Sequence, residues 1–371
     1  MSIHGANANQ VRNEALNFFQ NSPHYAFEKV IGAGMAAITI RFVQKNAMDP
    51  MRWVAKRFFD PTRMPQEMSA LRKFRWSEHI VNLENAAQNP LDLTKYMVME
   101  YLPNGTLEDF HRALGDRDEM PNRIYWAIFL CLARACAAMA YPPRRVAGAP
   151  TAHGHDAIQP LEDPIANMDP ENFIHSDFHF GNLMFGELDR THLEHLFVPL
   201  VKVIDFERAR YTNSTALPDP TGVQQFDHQL GMDAAPLFRP TNQRHPGEDI
   251  NILAIGMVMA NITGPAGRWQ RADACRTLIQ DETHRPDLDD DLRTLIARCL
   301  AVDPRNRPNL EELVPLLYDS VVNIHTARSY IGTAIEEVES DYNVWEILLD
   351  FFQLEPEGSE FEPSRSDPED D

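Results

Sequence analysis

The stretch that decides the fold is Phe173–Phe185, which reads F-I-H-S-D-F-H-F-G-N-L-M-F. Within it, Asp177 and Asn182 stand five residues apart and are framed by bulky apolar residues. A second segment of the same kind, V-K-V-I-D-F, covers residues 201–206 and places Asp205 after a short apolar run. Polar groups at the end of such runs are typical of a functional loop held by a buried strand. The two acids and the amide offer oxygen ligands of the kind that Mg²⁺ prefers.

These two segments resemble the protein-kinase catalytic loop, H-R-D-x-x-x-x-N, and the D-F-G segment that follows it. The resemblance implies that Asp177 is the catalytic base and that Asn182 and Asp205 are metal ligands. It also implies ATP and Mg²⁺ as cofactors. One such match is weak evidence by itself, so the resemblance to kinases depends on whether the remaining motifs occur in the family's order.

Residues 25–40 form two β-rich runs around a glycine turn. Small residues there let the backbone lie close to phosphates, because no side chain blocks the approach. This segment resembles the glycine-rich loop of kinases, with Ala37 in place of the third glycine. The resemblance implies nucleotide contacts for Ile31, Gly32 and Gly34.

The run R-W-V-A-K-R-F-F predicts a third strand that carries Val54 and Lys56. In the resembled family, a lysine at this position holds the α- and β-phosphates, and Val54 corresponds to a residue packed on adenine. A helix is predicted for residues 65–74, with a proline suited to its first turn. The resemblance pairs Glu67 of that helix with Lys56, and Glu78 is the rival. The plainer alternatives are a surface lysine and an acid favoured by the helix dipole.

Residues 96–107 combine an apolar strand, a Pro-Asn-Gly turn and the start of a helix. They resemble the hinge that joins the two lobes of kinases. The resemblance implies that backbone groups at Glu100 and Leu102 bind adenine and that Met99 lines the same site.

The second half of the chain is predicted to be mainly helical. Residues 121–141 are rich in alanine with an apolar face, and residues 251–259 are apolar all round, so the latter helix should be buried. Asn251 stands where kinases usually have aspartate. Residues 292–317 contain the order C-L-x-x-D-P-x-x-R-P, which resembles the signature that ends the kinase domain and implies a structural role for Arg307.

Several positions depart from the family pattern. Ser176 replaces an arginine that reads a phosphate on the activation segment, so we expect activity that does not depend on that phosphorylation. His179 replaces a lysine that neutralises the γ-phosphate, and is assigned a catalytic role by its position. The order H-x-D-x-H-x-x-N also occurs in small-molecule kinases of the aminoglycoside and choline type. Glu207 replaces the glycine of D-F-G, where an extra acid could disturb the metals. The A-P-E motif is missing, and residues 238–241 are its nearest match.

The composition limits the classes of protein to which this chain can belong. The chain has 371 residues, 43% of them hydrophobic, which is ample for a sizeable core. No run of about 18 apolar residues predicts a membrane span, and no basic-then-apolar leader predicts a secretory signal. We therefore expect an intracellular protein, cytoplasmic or nuclear. The cysteines lack C-x-x-C spacing and suggest reduced core thiols; they are Cys131, Cys136, Cys275 and Cys299.

The net charge of −21 argues against a nucleic-acid backbone as the main partner. Much of the negative charge lies near the C-terminus, where residues 355–371 are predicted to be a solvated, disordered tail. A docking or phosphorylated tail, through Ser364 or Ser366, is the alternative. Residues 142–170 are predicted to be an inserted surface loop, and His153 and His155 in it lack further metal ligands in the sequence.

Together these patterns predict an α+β, bilobal, protein-kinase-like fold. A lead at residues 1–24 precedes a domain at 25–320, divided into a β-rich N-lobe (25–102) and a mainly helical C-lobe (103–320). A helical extension (321–354) and the acidic tail follow. The implied function is ATP- and Mg²⁺-dependent phosphoryl transfer to a hydroxyl, with Ser/Thr of a protein substrate favoured. A pseudokinase that acts as a binding or scaffold module and a small-molecule kinase are the alternatives, and the oligomeric state is open.

Overall fold

A computed structural model describes residues 3–33, 36–45, 51–84, 95–114, 120–142, 162, 164, 168–189, 191–212, 245–264, 270–283 and 285–352. The fold is mixed α/β, with a small antiparallel sheet in the N-terminal part and a mostly helical remainder. This confirms the predicted succession of a β-rich part and a helical part. The predicted features that lie outside the described residues are Gly34, most of the loop at 142–170 with His153 and His155, residues 238–241 and the tail at 355–371.

Four antiparallel strands form the N-terminal sheet in sequential order. In the second strand, the alternate side chains of Ile38, Ile40 and Phe42 are fully buried, which is the two-residue period of a strand with one covered face. The strands are β1 (Tyr25–Ala33), β2 (Ala37–Gln44), β3 (Arg52–Phe58) and β4 (Met97–Glu100).

Helix α1 (Ile3–Asn21) packs against this sheet. The buried ring of Phe19 lies 4.8 Å, between centroids, from that of Phe42. The predicted lead at residues 1–24 therefore contains a long helix that shares the core of the sheet. The sequence did not reveal this because the helix has only a narrow apolar face.

Helix α2 (Met64–Lys73) matches the helix predicted for residues 65–74. Proline occupies its first turn, and its apolar side, including Met68 and Leu71, is buried. The ring of Phe74, the residue that ends the helix, lies 5.6 Å from that of Phe206. Packing therefore fixes α2 beside the segment that carries Asp205.

Helix α4 (Asn122–Ala140) is the centre of the helical part, and nearly all of its side chains are buried. It is the one helix in the described part of the chain that is long and apolar enough to cross a membrane. Because 89% of its apolar window is buried inside the protein, its composition is that of a core helix. The neighbouring helices are α3 (Leu107–Leu114), α5 (Pro246–Ile262), α6 (Ala272–Gln280), α7 (Asp290–Cys299) and α8 (Leu310–Asp319).

Two short antiparallel ladders lie between α4 and α5 in sequence. One joins β5 (Phe173–Ile174) to β8 (Arg210–Tyr211), and the other joins β6 (Leu183–Phe185) to β7 (Val201–Val203). The loop between β5 and β6 contains Asp177 and Asn182, and the residues after β7 contain Asp205. The two ladders thus hold both sequence segments that were singled out.

The extension predicted for residues 321–354 is only partly helical. A π-helical turn at residues 320–324 and a 3₁₀ turn at 327–330 precede α9 (Asp341–Phe352). The ring of Phe351 in α9 lies 4.9 Å from Phe110. Buried residues of α9 belong to the same core cluster as α4, so the extension is part of the main core rather than an appendage.

Gly247, at the start of α5, lies against the backbone just before β5. A Cβ atom there would lie 2.5 Å from the backbone of Asn172. We expect Gly247→Ala to lower the free energy of unfolding by about 2 kcal/mol or more, since overpacked backbone cannot move aside without strain. Chemical denaturation measures this change.

The matched control is Gly186→Ala, where the nearest atom would lie at an ordinary 3.5 Å. That variant should change the free energy of unfolding by roughly 0.5 kcal/mol or less. Equal stability of the two variants would contradict the close approach of α5 to the chain before β5.

Candidate active site

A lysine held between two carboxylates is the main feature of the site. Lys56 on β3 is buried, and its Nζ lies 2.7 Å from Oε2 of Glu67 and 2.9 Å from Oδ1 of Asp205. Glu67 comes from α2 and is completely buried, whereas the side chain of Asp205 is 37% exposed. Glu67, and not the rival Glu78, is therefore the carboxylate that contacts Lys56.

Burial and charge act against each other in this cluster. Burial disfavours the Lys56 ammonium, but the carboxylates of Glu67 and Asp205 outweigh burial and raise the pKa of Lys56. Burial raises the pKa of Glu67 to about 7, although Lys56 opposes that shift. Burial also acts to raise the pKa of Asp205, but Lys56 outweighs it and the pKa is lowered. Asp205 is thus the partner that stays ionised most readily.

Asp205 reaches Lys56 because the backbone turns sharply after β7. Its φ is 62°, in the left-handed region that non-glycine residues rarely adopt. Ser176, next to Asp177, has a φ of 65°. Among the described non-glycine residues, only Trp76 shares this feature. Strained backbone persists where the surrounding contacts over-determine it, and it clusters at functional sites.

Hydrogen bonds join the two acid-bearing segments. Asn182 donates its side-chain amide to the carbonyl of Asp177 at 2.9 Å, and its own carbonyl accepts from the amide of Ile204 at 2.9 Å. The ring of His175 lies 3.0 Å, at Nε2, from the carbonyl of Ile204. Burial lowers the pKa of His175 to about 4, so the ring is neutral near pH 7 and donates that bond from Nε2.

Asn251 of α5 supports the loop from behind. Its side-chain amide donates to the carbonyl of Phe173 at 2.8 Å, and its oxygen accepts from the backbone amide of His175 at 3.3 Å. An aspartate could only accept. Asn251, which stands where kinases usually have aspartate, therefore bonds both Phe173 and His175. Arg307 is buried and donates to the carbonyls of Ala301 and Asp249, which agrees with its implied structural role.

Arg208 is a site residue that the motif comparison missed. Its Nη1 lies 3.7 Å from Oδ1 of Asp177, and its side chain is 71% exposed. An exposed guanidinium beside the acid could contact an anionic substrate group at that position. The signal in the sequence was the arginine three residues after Asp205, in the order D-F-E-R.

His179 and Glu207 each have a defined partner in the structure. Nδ1 of His179 accepts a hydrogen bond from the amide of Gly181 at 3.1 Å, so only Nε2 is left to contact a substrate. Glu207 forms an ion pair with Arg63, which precedes α2. The carboxylate of Glu207 therefore ties the segment after β7 to the start of α2.

The donor set suits a hard divalent cation. Asn182 uses its side-chain nitrogen for the Asp177 carbonyl, which leaves its Oδ1 as the atom that could meet a cation. Asp205 is partly exposed and carries a second carboxylate oxygen beyond the one on Lys56. Carboxylate and amide oxygens with room for water are what Mg²⁺ requires.

The residues assigned to adenine form an apolar wall. Val54 on β3 is paired in register with Met99 on β4, and both are buried, as is Leu102. Ile31 and Gly32 lie at the end of β1, where Gly32 pairs in register with Thr39. A sheet surface of this kind can pack on a flat ring.

Glu100 forms hydrogen bonds through both its backbone and its side chain. Its backbone amide donates to the carbonyl of Asn82 at 3.1 Å, and its carboxylate accepts from Nζ of Lys202 at 2.8 Å. Glu100 and Lys202 line a groove of about 1320 Å³ that includes Trp76 but none of the charged cluster. The charged cluster thus does not line this groove, whereas Leu102 of the apolar wall does.

Neither a scan against protein-family models nor a search of curated proteins found a match to this chain.

The raised pKa of Glu67 has a consequence for stability. Because this pKa rises from 4.5 to about 7 on folding, the folded protein holds a proton that the unfolded chain releases between those values. The contribution of Glu67 to the free energy of unfolding is therefore largest below pH 4.5 and falls as the pH rises towards about 7. Urea denaturation of wild type and Glu67→Gln at about pH 5 and about pH 8 should show a greater advantage of wild type at the lower pH.

Glu108→Gln, on the exposed face of α3, is the matched control and should follow wild type at both pH values. An advantage of wild type over Glu67→Gln that is the same at both pH values would contradict the shift.

Proposed function

We propose that this protein is an ATP- and Mg²⁺-dependent phosphotransferase with a bilobal, protein-kinase-like arrangement. The γ-phosphoryl group of ATP passes to a hydroxyl, with Ser/Thr of a protein as the favoured acceptor. The observation that carries this proposal is the contact of Lys56 with both Glu67 and Asp205, which come from elements far apart in the chain.

Each residue of the cluster has a defined part in this proposal. Glu67 is fully buried and holds the ammonium of Lys56 in place. Asp205 is the more exposed partner, so incoming phosphates can take its place on Lys56. Because the ammonium of Lys56 is fixed before the nucleotide arrives, positioning that ammonium in the transition state costs less free energy.

Asp177 is the group that accepts or orients the hydroxyl proton of the acceptor. Its loop is fixed by the Asn182 and His175 hydrogen bonds, yet its carboxylate is partly exposed and lies 3.7 Å from the exposed guanidinium of Arg208. A bound Mg²⁺ supplies charge neutralisation for the phosphates, and Asn182 and Asp205 are the side chains that would hold it.

The acceptor is a protein in this proposal because the hinge-like segment and the Asp303–Pro308 signature resemble those of protein kinases. A small-molecule acceptor is the second candidate, and the observation that favours it is His179, which stands in place of the lysine and accepts a backbone hydrogen bond at Nδ1. A pseudokinase has less support, since Glu207 is engaged by Arg63.

Nucleotide binding is the first test. Wild type should gain thermal stability with ATP and Mg²⁺ together, and less with either alone, because the cation and the phosphates bind as one unit. Lys56→Met should weaken the apparent affinity by about tenfold or more, the value of a lost charge-assisted hydrogen bond.

Lys29→Met, an exposed lysine on β1 of the same sheet, is the matched control and should bind as wild type does. An equal rise in thermal stability with ATP and Mg²⁺ in wild type and Lys56→Met would contradict a role for Lys56 in nucleotide binding.

Turnover is the second test, measured with radiolabelled ATP, Mg²⁺ and a generic protein substrate. Asp177→Ala should lower phosphoryl transfer by about 100-fold or more while nucleotide binding persists, since a positioned base acts in the transition state. Asp189→Ala, at an exposed turn that follows β6, should keep the wild-type rate.

The outcomes distinguish the candidates. Label on protein, lost only in Asp177→Ala, supports a protein acceptor. Binding of nucleotide without protein labelling, but with phosphorylation of small hydroxyl compounds, supports the second candidate. Binding with no transfer to any acceptor contradicts the enzyme proposal.

A further inference from the structure

A second cluster of polar side chains lies in the core, apart from the charged cluster. It consists of His79, in the loop after α2, Cys131 on α4, and His195 in the 3₁₀ turn before β7. One potential ligand atom from each residue lies within 4.8 Å of those of the other two. The residues are 1%, 0% and 2% exposed, so the cluster is sealed from solvent.

The histidines in this cluster have ring nitrogens without hydrogen-bond partners. Neither nitrogen of His195 has one, and Nε2 of His79 has none. The backbone of Val198 approaches His195 without the alignment of a hydrogen bond. A buried polar atom left without a partner costs about 1–3 kcal/mol. Ring nitrogens without partners, buried beside a thiol, indicate that a bound group satisfies them.

Glu162 fixes the orientation of His79 from the opposite side. Its carboxylate contacts Nδ1 of His79 and accepts from the backbone amide of the same residue at 2.7 Å. With Nδ1 engaged in this way, Nε2 is the atom presented to Cys131 and His195. A carboxylate behind a histidine is the arrangement that commonly orients histidine ligands of metal ions.

We propose that the cluster binds a zinc ion through Nε2 of His79, Sγ of Cys131 and a ring nitrogen of His195. Zinc accepts nitrogen and thiolate ligands, and three protein ligands with a water in the fourth position is one of its known coordinations. Ligand atoms bound to one zinc ion lie about 3.3–3.8 Å apart. The distances between the three ligand atoms, now within 4.8 Å, would therefore shorten by roughly 1 Å when zinc binds.

The charges of this site balance. The thiolate of Cys131 and the carboxylate of Glu162 together compensate the two positive charges of the ion, while both imidazoles are neutral ligands. Arg134, one turn further along α4, forms an ion pair with Glu194 at 3.1 Å. This ion pair offsets part of the positive charge that Arg134 places near His195.

The position of the site indicates a structural role for the zinc ion. It joins the loop before residue 80, the core helix α4 and the turn before β7, segments that are distant in sequence. The carbonyl of His79 also accepts from the amide of Val203 on β7 at 2.9 Å. The zinc site therefore lies behind the strand that leads to Asp205, and it does not depend on the proposed phosphotransferase activity.

The test is the zinc content of the full-length protein, produced with added zinc and dialysed against metal-free buffer, measured by mass spectrometry of the metal. Wild type should hold about one zinc ion per chain. Cys131→Ser should hold far less, whereas Cys136→Ser, a buried cysteine of the same helix outside the cluster, should hold as much as wild type. Wild type with no bound zinc overturns the proposal, whatever the folding of the variants.

Cobalt substitution tests the ligand set independently. Wild type refolded with Co²⁺ should show near-ultraviolet thiolate-to-cobalt absorption, as should Cys136→Ser. Circular dichroism first establishes that Cys131→Ser is folded, and His195→Gln serves if it is not. Bound cobalt without the thiolate band in wild type, or an undiminished band in Cys131→Ser, would overturn the assignment of Cys131 as a ligand.

Discussion

The contact of Lys56 with Glu67 and Asp205 is the interaction on which the rest of the structure depends. It brings one carboxylate from α2 and one from the segment after β7 within 3 Å of the Nζ of a lysine on the sheet. Such a cluster is stable only if every charge is compensated, since an isolated buried charge costs several kcal/mol. The ion pair of Glu207 with Arg63 and the packing of Phe206 on α2 hold the same elements together and so preserve the geometry.

The second constraint is the neutrality of buried histidine and amide groups beneath the loop. His175 is kept neutral by burial, and its ring bonds the residue before Asp205, while Asn251 bonds both ends of the adjacent turn. These contacts need donors and acceptors in fixed places but no net charge. The partly exposed acids can therefore be the charged groups that face the solvent, where a nucleotide and its cation could meet them.

Much of this arrangement follows from the sequence because local rules suffice. The strand that carries Lys56 follows from a short apolar run, and the helix that carries Glu67 follows from the proline at its start. The loops after β5 and β7 follow from polar residues at the ends of apolar runs. Contacts between distant segments do not follow from such rules. The approach of Arg208 to Asp177 and the pairing of Glu207 with Arg63 depend on tertiary packing, as does the meeting of Cys131 with two histidines. The cysteine spacing gave no signal for that cluster, because its partners come from other segments.

The central claim is that Lys56 exchanges Asp205 for the phosphates of a nucleotide held with Mg²⁺. A crystal structure of the protein with Mg²⁺ and a non-hydrolysable ATP analogue tests this most directly. The account predicts phosphate oxygens on Lys56, an unbroken Lys56–Glu67 pair, and the cation on Asn182 and Asp205. A nucleotide bound elsewhere, with Lys56 still on Asp205, would contradict it.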